Sequence, residues 1–151
     1  MLELATTPDR PAVNEIARQV HGLHVSWRPD LYEMPGEMYP AERFEAEVKQ
    51  RQLYVAKLAG TVIGYTLLKI RVCDWPGVVK RKIMVIDEFG VHEDCRGHGV
   101  GKEMMADVRA LAAAFGCTDL QLGVYPQNDG AVSFWQKCGF TIRSIEMQQK
   151  V

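Results

Sequence analysis

The chain has 151 residues, 47% of them hydrophobic and 25% charged, and a formal net charge of −1. That is the length of about one domain with its own core, at the composition of a folded protein rather than a disordered one. The near-neutral charge gives no basic field for nucleic acid. No stretch approaches the ~18 apolar residues of a membrane span, and MLELATTPDR lacks the basic start and apolar run of a secretory signal. The expectation is one domain over residues 1–151, soluble and cytoplasmic, with no nucleic-acid or membrane partner.

Leu2–Ala5 is a short strand candidate. A helix follows, with Asp9 as N-cap and Pro11 in its first turn. Val13, Ile16, Ala17, Val20 and Leu23 share its inward face, and it ends before Pro29. Residues 28–36 read as a loop, and a second helix starts near Pro40 with Phe44 and Val48 inward. Residues 26–50 carry six acidic against three basic side chains. A solvated helix face explains such a surplus, and so does an acidic mouth that attracts a cationic substrate. Trp27, Tyr32 and Tyr39 either line that side or cover the core.

From Leu53 the period changes to that of strands. Leu53–Leu58 and Thr61–Val72 flank an Ala59-Gly60 hairpin turn. A turn through Trp75-Pro76-Gly77 leads to a third strand over Arg81–Val91. A strong helix begins near Val100, with Val100, Met104, Val108, Leu111, Ala112 and Phe115 inward and Gly116 as its stop. Leu120–Val124 is a strand. Asn128 or Asp129 caps a last helix that stops at Gly139-Phe140, and Thr141–Met147 forms a final strand. The order is β-α-α-β-β-β-α-β-α-β, an α/β fold of mixed sheet that opens as an antiparallel meander and closes in β-α-β units.

Chemistry concentrates in residues 82–102, KIMVIDEFGVHEDCRGHGVGK. A strand carries adjacent carboxylates, Asp87 and Glu88, and a glycine-rich turn then opens a helix. Free N–H groups at such a turn, together with the helix dipole, favour an anion. Two phosphate-loop patterns fail here. The G-x-x-x-x-G-K-S/T pattern has Arg96 where its first glycine belongs and Glu103 in place of its hydroxyl. The G-x-G-x-x-G pattern has Lys102 in its third position. What stands is Arg96-x-x-Gly99-x-Gly101, whose glycines admit a pyrophosphate to the backbone between Arg96 and Lys102. The cysteines, Cys73, Cys95, Cys117 and Cys138, form no zinc-ligand spacing and read as free thiols in a reducing compartment; no metal site is expected.

Arg96-Gly97-His98-Gly99-Val100-Gly101-Lys102 is similar to the R/Q-x-x-G-x-G/A signature of the GNAT superfamily of acyl-CoA N-acyltransferases. Ile86–Val91 resembles that family's fourth strand. Asn128–Phe140, NDGAVSFWQKCGF, resembles its N-x-x-A-x-x-F-Y-x-x-x-G-F helix. The resemblance implies acetyl-CoA as cosubstrate and no metal. It assigns the pantetheine arm to Phe89, Gly90 and Val91. The pyrophosphate falls to Arg96, Gly97, His98, Gly99, Val100, Gly101 and Lys102, with His98 giving its backbone N–H. Asn128 reaches the cofactor from the start of the last helix, and the fourth and fifth strands splay to form the slot. Many family members pair as a homodimer, so a second copy is a candidate partner.

The implied reaction is attack of a primary amine on acetyl-CoA, with the acceptor a small cationic molecule or a protein amine recognised by the helix pair and the Cys73–Arg81 turn. An amine of pKa about 10 must lose a proton, and a strand carboxylate is a suitable base. Asp87 and Glu88 face opposite sides of a regular strand, so only one reaches the slot unless a bulge at Gly90 changes the phase. The resemblance favours the Asp87 position; Glu88 has the longer reach. Pairing with a nearby Lys or Arg is the alternative role for either acid. Trp135 stands where many family members have a tyrosine acid. On the cofactor side its indole N–H donates a hydrogen bond but delivers no proton. Tyr125 is a replacement acid, though water is enough for a thiolate of pKa about 8.5. His92 is expected at the surface. The alternative to an enzyme is a non-catalytic acyl-CoA-binding module.

Overall fold

The computed structural model describes residues 1–151. Five strands form one sheet in the order β1-β2-β3-β4-β5: β1 Leu2–Leu4, β2 Leu53–Leu58, β3 Thr61–Cys73, β4 Arg81–Val91 and β5 Asp119–Leu122. The first four are antiparallel neighbours, and β5 joins β4 in parallel. The four α-helices are α1 Arg10–Trp27, α2 Ala41–Lys49, α3 Val100–Ala114 and α4 Asp129–Lys137. No helix is long and apolar enough to cross a membrane.

Period-2 alternation in the strands divides the core between the two sheet faces. Leu53, Val55, Tyr65 and Leu67 pack with Val13, Ile16 and Ala17 of α1, with Tyr39, and with Phe44 of α2. Tyr54, Leu68, Met84 and Ile86 pack with Met105, Val108 and Ala112 of α3 and Trp135 of α4. The Ala59-Gly60 turn adopts positive φ at both residues (49° and 80°), the geometry a two-residue hairpin needs. Asp9 precedes α1 as expected. Its carboxylate faces backwards, accepting from the Thr6 N–H and hydroxyl at 2.8 Å each and pairing with Lys57 at 3.0 Å.

The structure departs from the expectations above in several places. Leu23 is 40% exposed, on the wall of a large cleft rather than in the core. The bulge lies at Asp87 rather than Gly90: Leu67 pairs with Glu88 and Leu68 with Ile86, leaving Asp87 as the extra residue. Gly90 is required for space. A Cβ there would stand 2.8 Å from Tyr65 Cε1 and 3.0 Å from Ile16 Cγ2.

The final strand over Thr141–Met147 does not form. Residues 141–151 make no backbone hydrogen bond to the rest of the chain, and Ile142, Ile145 and Met147 are 77%, 81% and 90% exposed. Alternation can mark a strand, but only a neighbouring ladder completes one. The α4 stop before this segment does form. Gly139 has φ 93°, its N–H reaches Gln136 O, and the Phe140 N–H reaches Trp135 O.

Candidate active site

The ladder between β4 and β5 runs from Ile83/Asp119 to Ile86/Leu122 and stops there. Beyond it, Glu88–Val91 keep β3 on one side and have no strand on the other. The opening widens into a cleft of 830 Å³ that runs from the Arg96–Lys102 turn past β4 to Tyr125. Unpaired N–H and C=O groups on that side of β4 suit an extended ligand carrying amides. The backbone groups of Phe89 and Val91 face that side while those of Gly90 face β3, and Val91 O already accepts from Arg96 Nε.

The turn at the other end is built by backbone conformation. Gly97 and Gly99 have φ of 79° and 84°, a region that favours glycine, and neither has protein atoms within 4 Å of where a Cβ would stand. The Arg96 Nε–H donates to Val91 O at 2.9 Å, which ties the turn to the end of β4. α3 starts at Val100, so its first N–H groups lack intrahelical partners. Gly101 lies against Phe134, where a Cβ would come within 3.2 Å of the ring. Glycine backbone, free helix N–H groups and the flanking Arg96 and Lys102 together suit a diphosphate. Arg96, Gly97, Gly99, Gly101 and Lys102 line the cleft; His98 and Val100 lie in the turn behind that lining.

The two carboxylates have different partners. Asp87 is exposed and ion-paired with Lys69 at 2.9 Å. Glu88 is half-buried and held from three sides. Its Oε2 accepts from the hydroxyls of Tyr39 and Tyr65 at 2.8 Å each, and its Oε1 from Arg43 at 2.7 Å. The Thr66 hydroxyl donates to the Glu88 carbonyl at 2.8 Å. Burial first, and the Glu88 charge second, push the Tyr39 and Tyr65 phenols far above their usual range, so both remain donors. The Arg43 guanidinium lies 4.0 Å above the Tyr39 ring. Both carboxylates border the cleft.

The far wall is aromatic. Tyr125 shares a 2.5 Å hydrogen bond with the Tyr32 hydroxyl, and the His24 ring lies 5.6 Å from each of these rings. Burial lowers the His24 pKa, with the neighbouring His21 adding to the shift and the Glu88 charge opposing it; its imidazole is neutral at pH 7. Of the acidic residues between 26 and 50, none lines the cleft. Asp30 pairs with Arg28 and Glu37 with Arg10, while Glu42 and Glu45 are exposed on α2. The acidic-mouth expectation is therefore corrected, as is that for the Cys73–Arg81 turn, which lies away from the cleft. Of Trp27, Tyr32 and Tyr39 only Tyr32 lines it; Trp27 ends α1, and Tyr39 is core and acts through Glu88.

Trp135 is 9% exposed and packs on Phe89, Phe134 and Phe140 at 5.1, 4.8 and 5.5 Å between ring centres, so it walls the cleft from within the core. Asn128 Oδ1 accepts from the Ala131 N–H at 3.1 Å and caps α4 at the cleft margin. His92 is half-buried rather than at the surface. Its Nε2 meets Glu15 at 3.2 Å and Gln19 at 3.3 Å, and its Nδ1 accepts from the Asp94 N–H. Sequence reasoning missed His24, Arg43, Tyr65 and Phe134. His21 and His24 stood three apart on a helix pattern, a visible sign of one shared face. The convergence of Tyr39, Arg43 and Tyr65 on one carboxylate joins three distant segments and left no local sign.

Residues 19–140 match the model of the acetyltransferase (GNAT) family. An uncharacterized N-acetyltransferase from Methanocaldococcus jannaschii is 27% identical over 93 residues, which covers 61% of this chain and 40% of that protein. The chain thus spans about two fifths of the length of the curated relative it matches. Among solved structures, a mutant of the BH1408 protein from Bacillus halodurans superposes with a TM-score of 0.94 at 24% identity, covering 100% of this chain and 99% of that one. The aminoglycoside N-acetyltransferase AAC(6')-Iy, in complex with CoA, gives a TM-score of 0.65 at 17% identity, covering 100% of each chain. At these identities the structural likeness concerns the fold, while the family match spans most of the chain. The protein belongs to the acetyltransferase (GNAT) family.

Proposed function

We propose that the protein is an N-acetyltransferase, one acyl-CoA N-acyltransferase domain that transfers the acetyl group of acetyl-CoA directly to a primary amine. The observation that carries this reading is the continuous cleft joining a diphosphate-type turn, an open strand edge and a fixed carboxylate. The Arg96–Lys102 turn takes the pyrophosphate and the open side of Phe89–Val91 takes the pantetheine arm, which leads the thioester towards Glu88. The amine enters from the side of His24, Tyr32 and Tyr125.

An ammonium must lose its proton before its nitrogen attacks the thioester carbon. Glu88 is the better base. It borders the cleft in one orientation fixed by Tyr39, Tyr65 and Arg43, whereas Asp87 is exposed and engaged by Lys69. With its oxygens occupied by donors, Glu88 takes the proton through water. The departing CoA thiolate needs little help, and the Tyr125 hydroxyl, oriented by Tyr32, is the donor available at the acceptor end. Localisation in the cytoplasm agrees with free thiols at all four cysteines.

The lining also bears on the acceptor. Asp87 and Glu88 are its acidic side chains, and the acceptor end is made of the Tyr32 and Tyr125 rings, Leu23, Val124 and the imidazoles of His21 and His24, the latter uncharged. Such a wall favours an amine with one positive charge on an apolar body over a polycation. Thiol release from acetyl-CoA, measured across phenethylamine, tryptamine, spermidine, kanamycin and a lysine peptide, tests both statements. Release with at least one amine supports transfer, and a higher kcat/KM for the arylalkylamines supports the acceptor class. Binding of acetyl-CoA with no release for any amine favours the second reading, an acyl-CoA-binding module, for which Trp135 in place of the family's tyrosine speaks.

A further inference from the structure

Acetylation turns an ammonium, with three N–H bonds, into an amide with one, so two protons leave the nitrogen for each acetyl transferred. The first leaves before attack and passes through water to Glu88. The second leaves once the C–N bond has formed and the nitrogen carries positive charge. Glu88 holds the first proton at that moment, and its oxygens also accept from Tyr39, Tyr65 and Arg43.

The acceptor wall holds a group suited to the second proton. His24, near the end of α1, is half-buried and lines the cleft. Its ring packs with those of Trp27, Tyr32 and Tyr125 at 5.8, 5.6 and 5.6 Å between centres. A phenyl ring would pack there as well; the imidazole adds two nitrogens, and neither bonds to another protein atom. Arg81 Nε is the only buried side-chain nitrogen or oxygen left without a partner, so the His24 nitrogens are open rather than shut in the core. The neighbouring His21 differs, because its Nε2–H donates to Glu33 O at 2.8 Å. The titratable groups facing His24 are His21 on its own helix, Tyr32 in the loop that follows, Tyr125 after β5, and Glu88 on β4, whose charge acts on the ring. Arg28, one turn on, is paired with Asp30 at 2.7 Å. A neutral imidazole offers a lone pair, and burial keeps His24 in that form.

We infer that His24 is a catalytic residue of the transfer, taking the second proton from the substrate nitrogen after Glu88 has taken the first; this rests on the acetyl transfer proposed above. The amine lone pair adds to the thioester carbon and the C–N bond forms. His24 takes a proton from the resulting aminium, the C–S bond breaks, and its electron pair leaves on sulfur. Tyr125 gives its hydroxyl proton to the thiolate, and the His24 imidazolium restores it through water in the cleft. Glu88 returns the other proton to solvent. One proton thus ends on CoA and one in solvent, and every group is reset.

His24→Gln and His24→Ala, assayed by thiol release with the best acceptor of the amine panel, test this role. Both are expected to lower kcat about 100-fold or more and to leave the KM for acetyl-CoA within about twofold. Wild-type kcat is expected to fall as pH drops through the His24 value, which lies below the usual imidazole value of about 6.5, because only the neutral ring accepts a proton. Both variants should lose that limb of the profile. Added imidazole should restore part of the rate of His24→Ala, which leaves it room, and none of that of His24→Gln. Nitrogen NMR of the histidine rings reads the same group without turnover: a neutral His24 at pH 7 with acetyl-CoA bound is expected, and a charged one overturns the inference. A kcat within about threefold of wild type overturns it too. So does a loss confined to the KM for the amine, or one with an unchanged pH profile and no rescue. Those outcomes leave the transfer itself standing. A wild type that releases no thiol with any amine overturns the proposed reaction, and this role falls with it.

Discussion

The hydroxyl of Tyr65, buried in β3, donates to Glu88 Oε2 across the β3–β4 ladder at 2.8 Å. Tyr39 makes the same contact from the loop before α2, and Arg43 closes the opposite oxygen from α2 itself. Three segments thus fix one carboxylate at the cleft. Glu88→Gln should lower kcat by about 10²–10⁴-fold with little change in the KM for acetyl-CoA. Tyr65→Phe keeps the other two ties and should lower kcat about 2–10-fold. Asp87→Asn should stay within about threefold of the wild type, since the side chain is exposed and paired with Lys69. Steady-state kinetics with one amine acceptor checks all three; a larger loss for Asp87→Asn than for Glu88→Gln exchanges their roles.

The turn should govern affinity rather than turnover. Arg96 combines a tie to Val91 O with a charge at the cleft, and Gly99 holds φ 84°. Loss of a charged contact to phosphate is worth about 1.5–3 kcal/mol, so Arg96→Ala should weaken CoA binding about 10–100-fold. Gly99→Ala should weaken it as well, through backbone strain of about 1 kcal/mol or more. Calorimetric titration with adenosine 3′-phosphate 5′-diphosphate and with 3′,5′-ADP, which differ by one 5′-phosphate, separates the pyrophosphate contribution, and CoA adds that of the pantetheine arm. Equal affinity in wild type and Arg96→Ala would remove the turn from the site.

Gly90 is a packing requirement inside the site strand. A Cβ would meet Tyr65 Cε1 at 2.8 Å, Ile16 Cγ2 at 3.0 Å and Val20 Cγ2 at 3.1 Å. Gly90→Ala should cost about 1–3 kcal/mol, a fall of roughly 3–10 °C in Tm, and should lower kcat by displacing Tyr65 from Glu88. Melting curves and kinetics on one preparation check both effects; an unchanged Tm shows that α1 moves aside without cost.

Acid sensitivity should appear at Asp9. Burial would raise its carboxyl pKa, but the Thr6 N–H, the Thr6 hydroxyl and Lys57 outweigh that and hold it below the usual carboxylate value. A folded pKa below the unfolded value near 3.9 gives a stabilisation that is complete above about pH 4 and is lost as pH falls through the folded value. Asp9→Asn should therefore melt below the wild type at pH 7, and the gap should close as pH drops below about 4. A gap that is constant with pH would point to packing instead of charge.

Much of this was legible in the sequence because it is local. The order of the first nine elements, the Ala59-Gly60 hairpin, the Gly116 and Gly139 stops and the Arg96–Gly101 turn each depend on a few adjacent residues, and each forms. What was not legible is tertiary. Asp87 as the bulge depends on how β3 pairs, which nothing near Gly90 or Asp87 announces. The acidic surplus of residues 26–50 is real in composition, but α2 turns it outwards and leaves rings at the cleft. The strand pattern of residues 141–147 is genuine as a pattern and has no ladder within the chain.

The most direct test of the account follows a carbonyl-labelled acetyl group from acetyl-CoA by mass spectrometry, with wild type and Glu88→Gln side by side and the arylalkylamine as acceptor. The account predicts that wild type delivers the label to the amine nitrogen with one free CoA thiol per amide formed. Glu88→Gln should bind acetyl-CoA equally well and transfer label at least about 100-fold more slowly. Label that stays on CoA with every amine offered, or equal transfer by the two proteins, would contradict it.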